Sequence, residues 1–157
     1  MDDAATEGGG EIHVAAALVF GPAGVLIAQR PAGTHLAGLW EFPGGKIETG
    51  ESPFEAVRRE LREELGIEVE PVELWLVTRH AYPERSVVLH FIRCHHRAGT
   101  PRPLGCAAVR WARPDELETL PFPDADRAIL SRLLGPPGTG AAAWRHPPCR
   151  RSSAKVS

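Results

Sequence analysis

The stretch GKIETGESPFEAVRRELREELGI, residues 45–67, decides how the rest of the chain is read. Its second half carries the marks of a helix. Ser52 suits the N-cap, Pro53 the first helical position, and Glu55 completes an S-x-x-E capping box. Phe54, Val57, Leu61 and Leu65 make an apolar stripe, and Gly66 stands where a left-handed C-terminal residue ends a helix. Glu60, Glu63 and Glu64 then fall at i, i+3 and i+4, so three carboxylates share one face beside that stripe. Like charges so placed cost a few tenths of a kcal/mol each, roughly, unless something positive sits among them.

Two readings compete for Arg58–Gly66. A solvated helix laced with i,i+4 pairs, Glu55–Arg59 and Arg59–Glu63, explains that short piece best. The wider context favours a ligand. A glycine-rich turn, Gly44-Gly45, delivers the chain to the helix, and Glu51 adds a further carboxylate just upstream. Hard oxygen donors at that density suit Mg²⁺ or Mn²⁺, and magnesium commonly bridges to phosphates of a substrate.

Around this centre the chain reads as strands with two helices. Ile12–Phe20 and Val25–Arg30 flank the turn GPAG as a hairpin, and GLWEFPGGK is a short strand running into the glycine turn. EPVELWLVTRHAY and RSVVLHFIRCHH, joined through PERS, form two longer strands. A Pro/Gly-rich loop over 98–105 leads to AAVRWA, and Asp124–Leu134 closes the pattern as a helix. The expected class is α/β, a mixed sheet between helices.

Composition limits the alternatives. A chain of 157 residues with 43% apolar and 24% charged side chains suits one ordinary domain. No apolar run reaches membrane-spanning length, and the start MDDAATEGGGE is too acidic for a signal peptide. Cys94, Cys106 and Cys149 include no CxxC pair, which fits a reduced, cytoplasmic setting. Residues 1–11 read as a flexible N-terminus and 12–134 as the domain. The remainder, 135–157, reads as a disordered tail that is basic and has no acidic residue, leaving the body with 14 basic against 20 acidic side chains. Within it GPPGTG lacks the Lys-Ser/Thr of a phosphate-binding loop and has no strand before it. Cys94, His95, His96 and Cys106 make a poor tetrahedral zinc set, because adjacent strand residues face opposite sides.

The full spacing, Gly45, Glu51, Arg59-Glu60-Leu61, Glu63-Glu64, Gly66-Ile67, resembles the Nudix box G-x5-E-x7-R-E-U-x-E-E-x-G-U at every specified position. Such a match arises by chance on the order of 10⁻⁹ per starting point. The resemblance implies a Nudix-type α/β/α sandwich that uses Mg²⁺, with Mn²⁺ as a substitute, to cleave a diphosphate linkage. It also implies Glu60, Glu63, Glu64 and the Gly44 carbonyl as metal ligands, Glu60 as a group able to activate water, and Arg59 as the residue that orients Glu51.

LWEFPGGKIETGE is further similar to the MutT branch, over roughly residues 12 to 134. That similarity implies a nucleoside triphosphate pyrophosphohydrolase acting on 8-oxo-dGTP, with Arg30, His35, Phe42, Tyr82, Arg85 and Asp126 around the nucleotide and Lys46 near its phosphates. Neither a membrane nor stable nucleic-acid binding is expected. Two departures stand out. Asp126 replaces an asparagine; an amide both donates and accepts, whereas an ionised carboxylate only accepts, as would suit cytosine N4. Related CTP/5-methyl-dCTP pyrophosphohydrolases also carry aspartate there, so a CTP-preferring enzyme is the alternative, and a binding module with weak turnover is a third reading. The loop near Gly105 and Ala108 lacks the glutamate that MutT-like chains carry, with Glu84 a possible substitute.

Overall fold

The computed structural model describes residues 10–135; the expected basic tail and nearly all of the N-terminal stretch lie outside them. The strands are β1 (Glu11–Gly21), β2 (Gly24–Gln29), β3 (Trp40–Glu41), β4 (Gly44–Lys46), β5 (Glu68–Ala81), β6 (Ser86–Ala98) and β7 (Ala108–Ala112). The helices are α1 (Pro53–Leu65), α2 (Pro114–Thr119) and α3 (Arg127–Leu134). A seven-stranded mixed sheet runs β3-β2-β1-β6-β5, with β4 added to β1 and β7 to β2. β1 is parallel to β6, while the other pairs are antiparallel.

β1 shows why this sheet carries helices on both faces. Ala15, Ala17 and Val19 point to one side, where they meet Val57, Leu61 and Leu65 of α1. Ala16 and Leu18 point to the other, where Ile129 and Leu133 of α3 and Leu117 of α2 close a second core with Phe91. The alternation of the strand is thereby used twice. Truncating a wholly buried anchor such as Leu61 to alanine costs about 2–5 kcal/mol.

The caps of α1 form as the sequence indicates. Ser52 Oγ accepts from the Glu55 amide (3.1 Å), Glu55 Oε1 accepts from the Ser52 amide (2.9 Å), and Gly66 ends the helix at φ 70°. The apolar stripe differs in one place: Phe54 is 37% exposed, and Ala56 is buried instead. The helix packs against β4, whose residues 44 and 45 have no side chains, and a Cβ on Gly45 would lie 2.3 Å from the Glu60 carboxyl carbon. Phe54 lies in the first turn, outside the packing of Ala56, Val57, Leu61 and Leu65 against the sheet.

Three other readings need correction. The N-terminal stretch is shorter than expected, because Glu11 already belongs to β1 and pairs with Ser86. Pro114–Thr119 is a helix that the sequence pattern did not disclose; its apolar side rests on Leu117 alone. The closing helix begins as a 3-10 turn over Asp124–Asp126 and becomes α-helical only from Arg127.

Candidate active site

One cavity of about 620 Å³ runs from the glycine strand to the 3-10 turn. Arg30, His35, Phe42, Gly44, Lys46, Glu60, Glu64, Tyr82, Arg85 and Asp126 all line it. Residues from β1, the loop that follows β2, β3, β4, α1, the β5–β6 turn, β6 and the 3-10 turn thus reach one space. Glu63 does not line it: its side chain is 60% exposed. Glu51 and Arg59 stand behind it.

Arg59 is the hub of the α1 face. Its Nε donates to Glu51 Oε2 (2.6 Å) and its Nη2 to Glu51 Oε1 (3.0 Å), a bidentate pair. Nη2 also donates to the Lys46 carbonyl (3.1 Å), tying helix to glycine strand. Nη1 donates to Glu60 Oε2 (3.0 Å) and Glu63 Oε1 (3.3 Å). The i,i+4 pair with Glu63 therefore forms, whereas Glu55 turns away to its capping bond. Held by that guanidinium and by the Glu48 amide, the Glu51 carboxyl drops to about 2.

The carboxylates inside the cavity are in the opposite condition. Burial pushes the Glu64 carboxyl up to about 8, and the charges of Glu41 and Glu60 add to the rise, against a bond from the Gly44 amide. Its Oε1 is buried and has no hydrogen-bond partner. Burial also raises Glu60, with Arg59 offsetting part of the effect. Asp126, 6% exposed, is pushed up to about 8 by burial and by Glu41.

Glu41, which sequence reasoning did not assign to the site, also lines the cavity and is raised by burial despite a bond from Arg30 Nη1 (3.2 Å). Its signal was available in WEFPGG, where a lone acid stands between two buried aromatics, Trp40 and Phe42.

Among the described residues, no three His, Cys, Asp or Glu side chains stand close enough to hold a metal ion as they are. Arg59 supplies the positive charge between Glu60 and Glu63, while the Oε1 of Glu64 is left without a hydrogen-bond partner. A buried, unpartnered carboxylate oxygen next to a second buried carboxylate and two side-chain-free glycines fits a small divalent cation with oxygen ligands.

The other end of the cavity is aromatic. Phe42 stacks on Phe122 (5.5 Å between centroids, 30°) and meets Phe91 edge-on. Tyr82 takes the edges of His35 (5.3 Å) and His80 (4.6 Å). Arg30 Nε donates to the His35 carbonyl (2.6 Å), which pins the 31–39 loop at the mouth. Arg85 and Glu84 sit exposed in the β5–β6 turn, where Tyr82 and Arg85 exchange backbone bonds.

The loop over 98–107 brings no acidic side chain to α1; the amides of Leu104 and Gly105 both donate to the Glu64 carbonyl (3.0 Å each).

Comparison with known proteins gives the same fold. The NUDIX domain matches residues 14–132. The chain is 44% identical to the 8-oxo-dGTP diphosphatase of Proteus vulgaris over 52% of its own length and 73% of that protein's. It is 38% identical to the CTP pyrophosphohydrolase of Escherichia coli over 78% of its length and 91% of that protein's. A MutT NUDIX hydrolase from Burkholderia pseudomallei superposes with a TM-score of 0.70 at 29% identity, covering 77% of this chain and 96% of the other. With the box, the sandwich and the domain match in agreement, the chain belongs to the Nudix family.

Proposed function

We propose that this Nudix hydrolase is a Mg²⁺-dependent nucleoside triphosphate pyrophosphohydrolase of the MutT type, which converts 8-oxo-dGTP or a similar nucleotide to its monophosphate and pyrophosphate. The observation that carries the reading is the single cavity joining a cation-seeking carboxylate end to an aromatic, base-sized end. Relatives that carry the names 8-oxo-dGTP diphosphatase and CTP pyrophosphohydrolase support the nucleotide class. Nudix proteins generally use a divalent metal, and Mg²⁺ is the ion that these oxygen donors favour. No helix among the described residues is long and apolar enough to cross a membrane. Work on the cytoplasmic nucleotide pool, without stable nucleic-acid binding, completes the proposal.

Glu60, Glu63, Glu64 and the Gly44 carbonyl would hold the ion, which when bound withdraws charge from phosphate oxygens. Glu63, which accepts from Arg59 Nη1 at 3.3 Å, would have to release that bond to contribute. Glu60, half-buried and raised, is placed to take the proton of attacking water. Arg59 and Glu51 keep Glu60 at its station through the bonds described above, and Lys46 lies in the cavity beside the glycines as a phosphate contact. Phe42, His35, Tyr82, Arg30 and Arg85 enclose the nucleoside.

Asp126 decides the base. Protonated, it both donates and accepts, which suits the O6 and N7–H edge of 8-oxoguanine; ionised, it accepts only, as from cytosine N4. Burial and the charge of Glu41 push its carboxyl up to about 8, which supports the protonated form and with it 8-oxo-dGTP over the CTP alternative.

The test is hydrolysis across 8-oxo-dGTP, dGTP, CTP, dCTP and ADP-ribose at pH 7 and pH 9. The expected result is preference for 8-oxo-dGTP at pH 7, declining toward CTP as pH rises through 8, with the decline absent in Asp126→Asn. Preference for CTP at both values would promote the alternative, and equal neglect of all five would leave a binding module.

A further inference from the structure

Among the described residues, Leu36 is the only one other than glycine whose backbone enters the left-handed region, at φ 60°. A bulky side chain is strained there, because its Cβ crowds the following carbonyl; glycine, or a short Asn or Asp, is the usual occupant. The same loop uses glycine twice for such turns. Gly33 and Gly38, on either side of Leu36, stand at φ 82° and 84° with open space around them. A glycine at 36 would make the third turn without strain, yet the chain places a branched apolar side chain there.

Core packing does not account for that leucine, which is part of neither apolar core of the described residues. It is half-buried while Thr34, His35 and Ala37 around it are exposed, and what it lines is the cavity. In an extended segment adjacent side chains take opposite sides, but His35 and Leu36 both reach this one space. His35 meets Tyr82 edge-on at 5.3 Å, which sets the pair at the aromatic end. The turn is held from both sides. The Leu36 carbonyl accepts from the Leu39 amide (3.2 Å), the His35 carbonyl from Arg30 Nε (2.6 Å) and the Gly38 carbonyl from Gln29 Nε2 (3.0 Å). A strained residue persists only where its surroundings over-determine it, and such residues cluster at ligand sites.

We infer that Leu36 is a specificity-determining residue of the nucleotide site: the strained turn holds its side chain in the cavity as an apolar wall against the nucleoside. The inference rests on the nucleotide reading above and adds to it a contact from the loop that follows β2. It assigns Leu36 to the base or sugar and not to the phosphates, so its loss should be felt by nucleotides and not by pyrophosphate.

The test is calorimetric binding to the full chain in Mg²⁺, with 8-oxo-dGMP, CMP and pyrophosphate as separate probes. Leu36→Gly and Leu36→Asn both suit the left-handed turn and remove the wall; each is expected to weaken the better-bound nucleotide about tenfold, as loss of an apolar pocket contact does. Leu36→Met keeps an apolar side chain of similar volume and is expected to stay within about twofold of the parent chain. Pyrophosphate affinity should be unchanged in all three. In the unmutated chain, the Leu36 methyl protons should show nuclear Overhauser contacts to the base or sugar of the bound nucleotide, a readout that needs no variant to fold. A leucine kept only for its turn would give parent-like nucleotide affinity in Leu36→Gly and Leu36→Asn, and that result would overturn the inference. So would an equal loss for pyrophosphate, a loss in Leu36→Gly that Leu36→Asn does not share, or the absence of any Overhauser contact. If the parent chain binds a nucleotide and these variants bind it equally, only the role of Leu36 fails; if the parent binds neither nucleotide, the nucleotide reading fails with it.

Discussion

Glu51 and Glu64 are both glutamates of the same box, and the fold treats them in opposite ways. Glu51 is gripped by two nitrogens of Arg59 and by the Glu48 amide, so its carboxyl falls to about 2. Glu64 is sunk beneath the glycine strand with one oxygen unpartnered, and its carboxyl rises to about 8. The first has its counter-charge bonded to it by the chain, and the second has an oxygen to which nothing in the described residues is bonded. A satisfied carboxylate holds geometry; an unsatisfied one is where an outside cation gains most.

The sharpest way to break that contrast is to neutralise each acid in turn. Glu64→Gln should lower turnover on the order of 10³-fold with Mg²⁺ present, since it removes charge where charge must be stabilised in the reaction. Glu63→Gln should cost less, because Glu63 is largely exposed and already paired. Steady-state kinetics on both variants settles the order, and a larger loss at Glu63 would invert the roles assigned here.

Arg59→Lys comes next. A lysine keeps the charge but cannot bridge Glu51, Glu60 and the Lys46 carbonyl together. A fall in kcat of about 10–100-fold with little change in KM is expected. Unchanged kcat would show that the knot only stiffens the helix.

The smallest effect is on stability. Glu64 and Asp126 titrate near 8 when folded and near 4 when unfolded, so between those values the native state holds more protons than the unfolded one. Stability must then fall as pH rises through that window. In EDTA, Tm should drop by about 5 °C or more between pH 5.5 and pH 8.5, and Mg²⁺ should restore part of it at the higher pH. A Tm that rises over this range would contradict the burial of these acids.

Much of this was legible in the chain. α1 could be read to the residue because its start, its end and its box are all written in side chains: Ser52, Pro53, Glu55 and Gly66. The β1–β2 and β5–β6 pairings followed from apolar runs around short turns. α2 was not legible, since a helix over Pro114–Thr119 with one buried residue has no period to detect. Phe54 shares the spacing of the stripe, and spacing alone does not tell that the first turn of the helix lies outside the packing of Ala56, Val57, Leu61 and Leu65. Glu41 carries only the local signal of a lone acid between Trp40 and Phe42; that its strand lines one cavity with a helix coming later is not written there.

The proposed centre of acids should release pyrophosphate from a nucleoside triphosphate only when a divalent cation is bound. Phosphorus-31 resonance of 8-oxo-dGTP incubated with the chain, in Mg²⁺ and again in EDTA, decides this. Monophosphate and pyrophosphate signals in Mg²⁺ and intact triphosphate in EDTA are expected. Orthophosphate and diphosphate nucleotide as the first products, or equal turnover in EDTA, would contradict it.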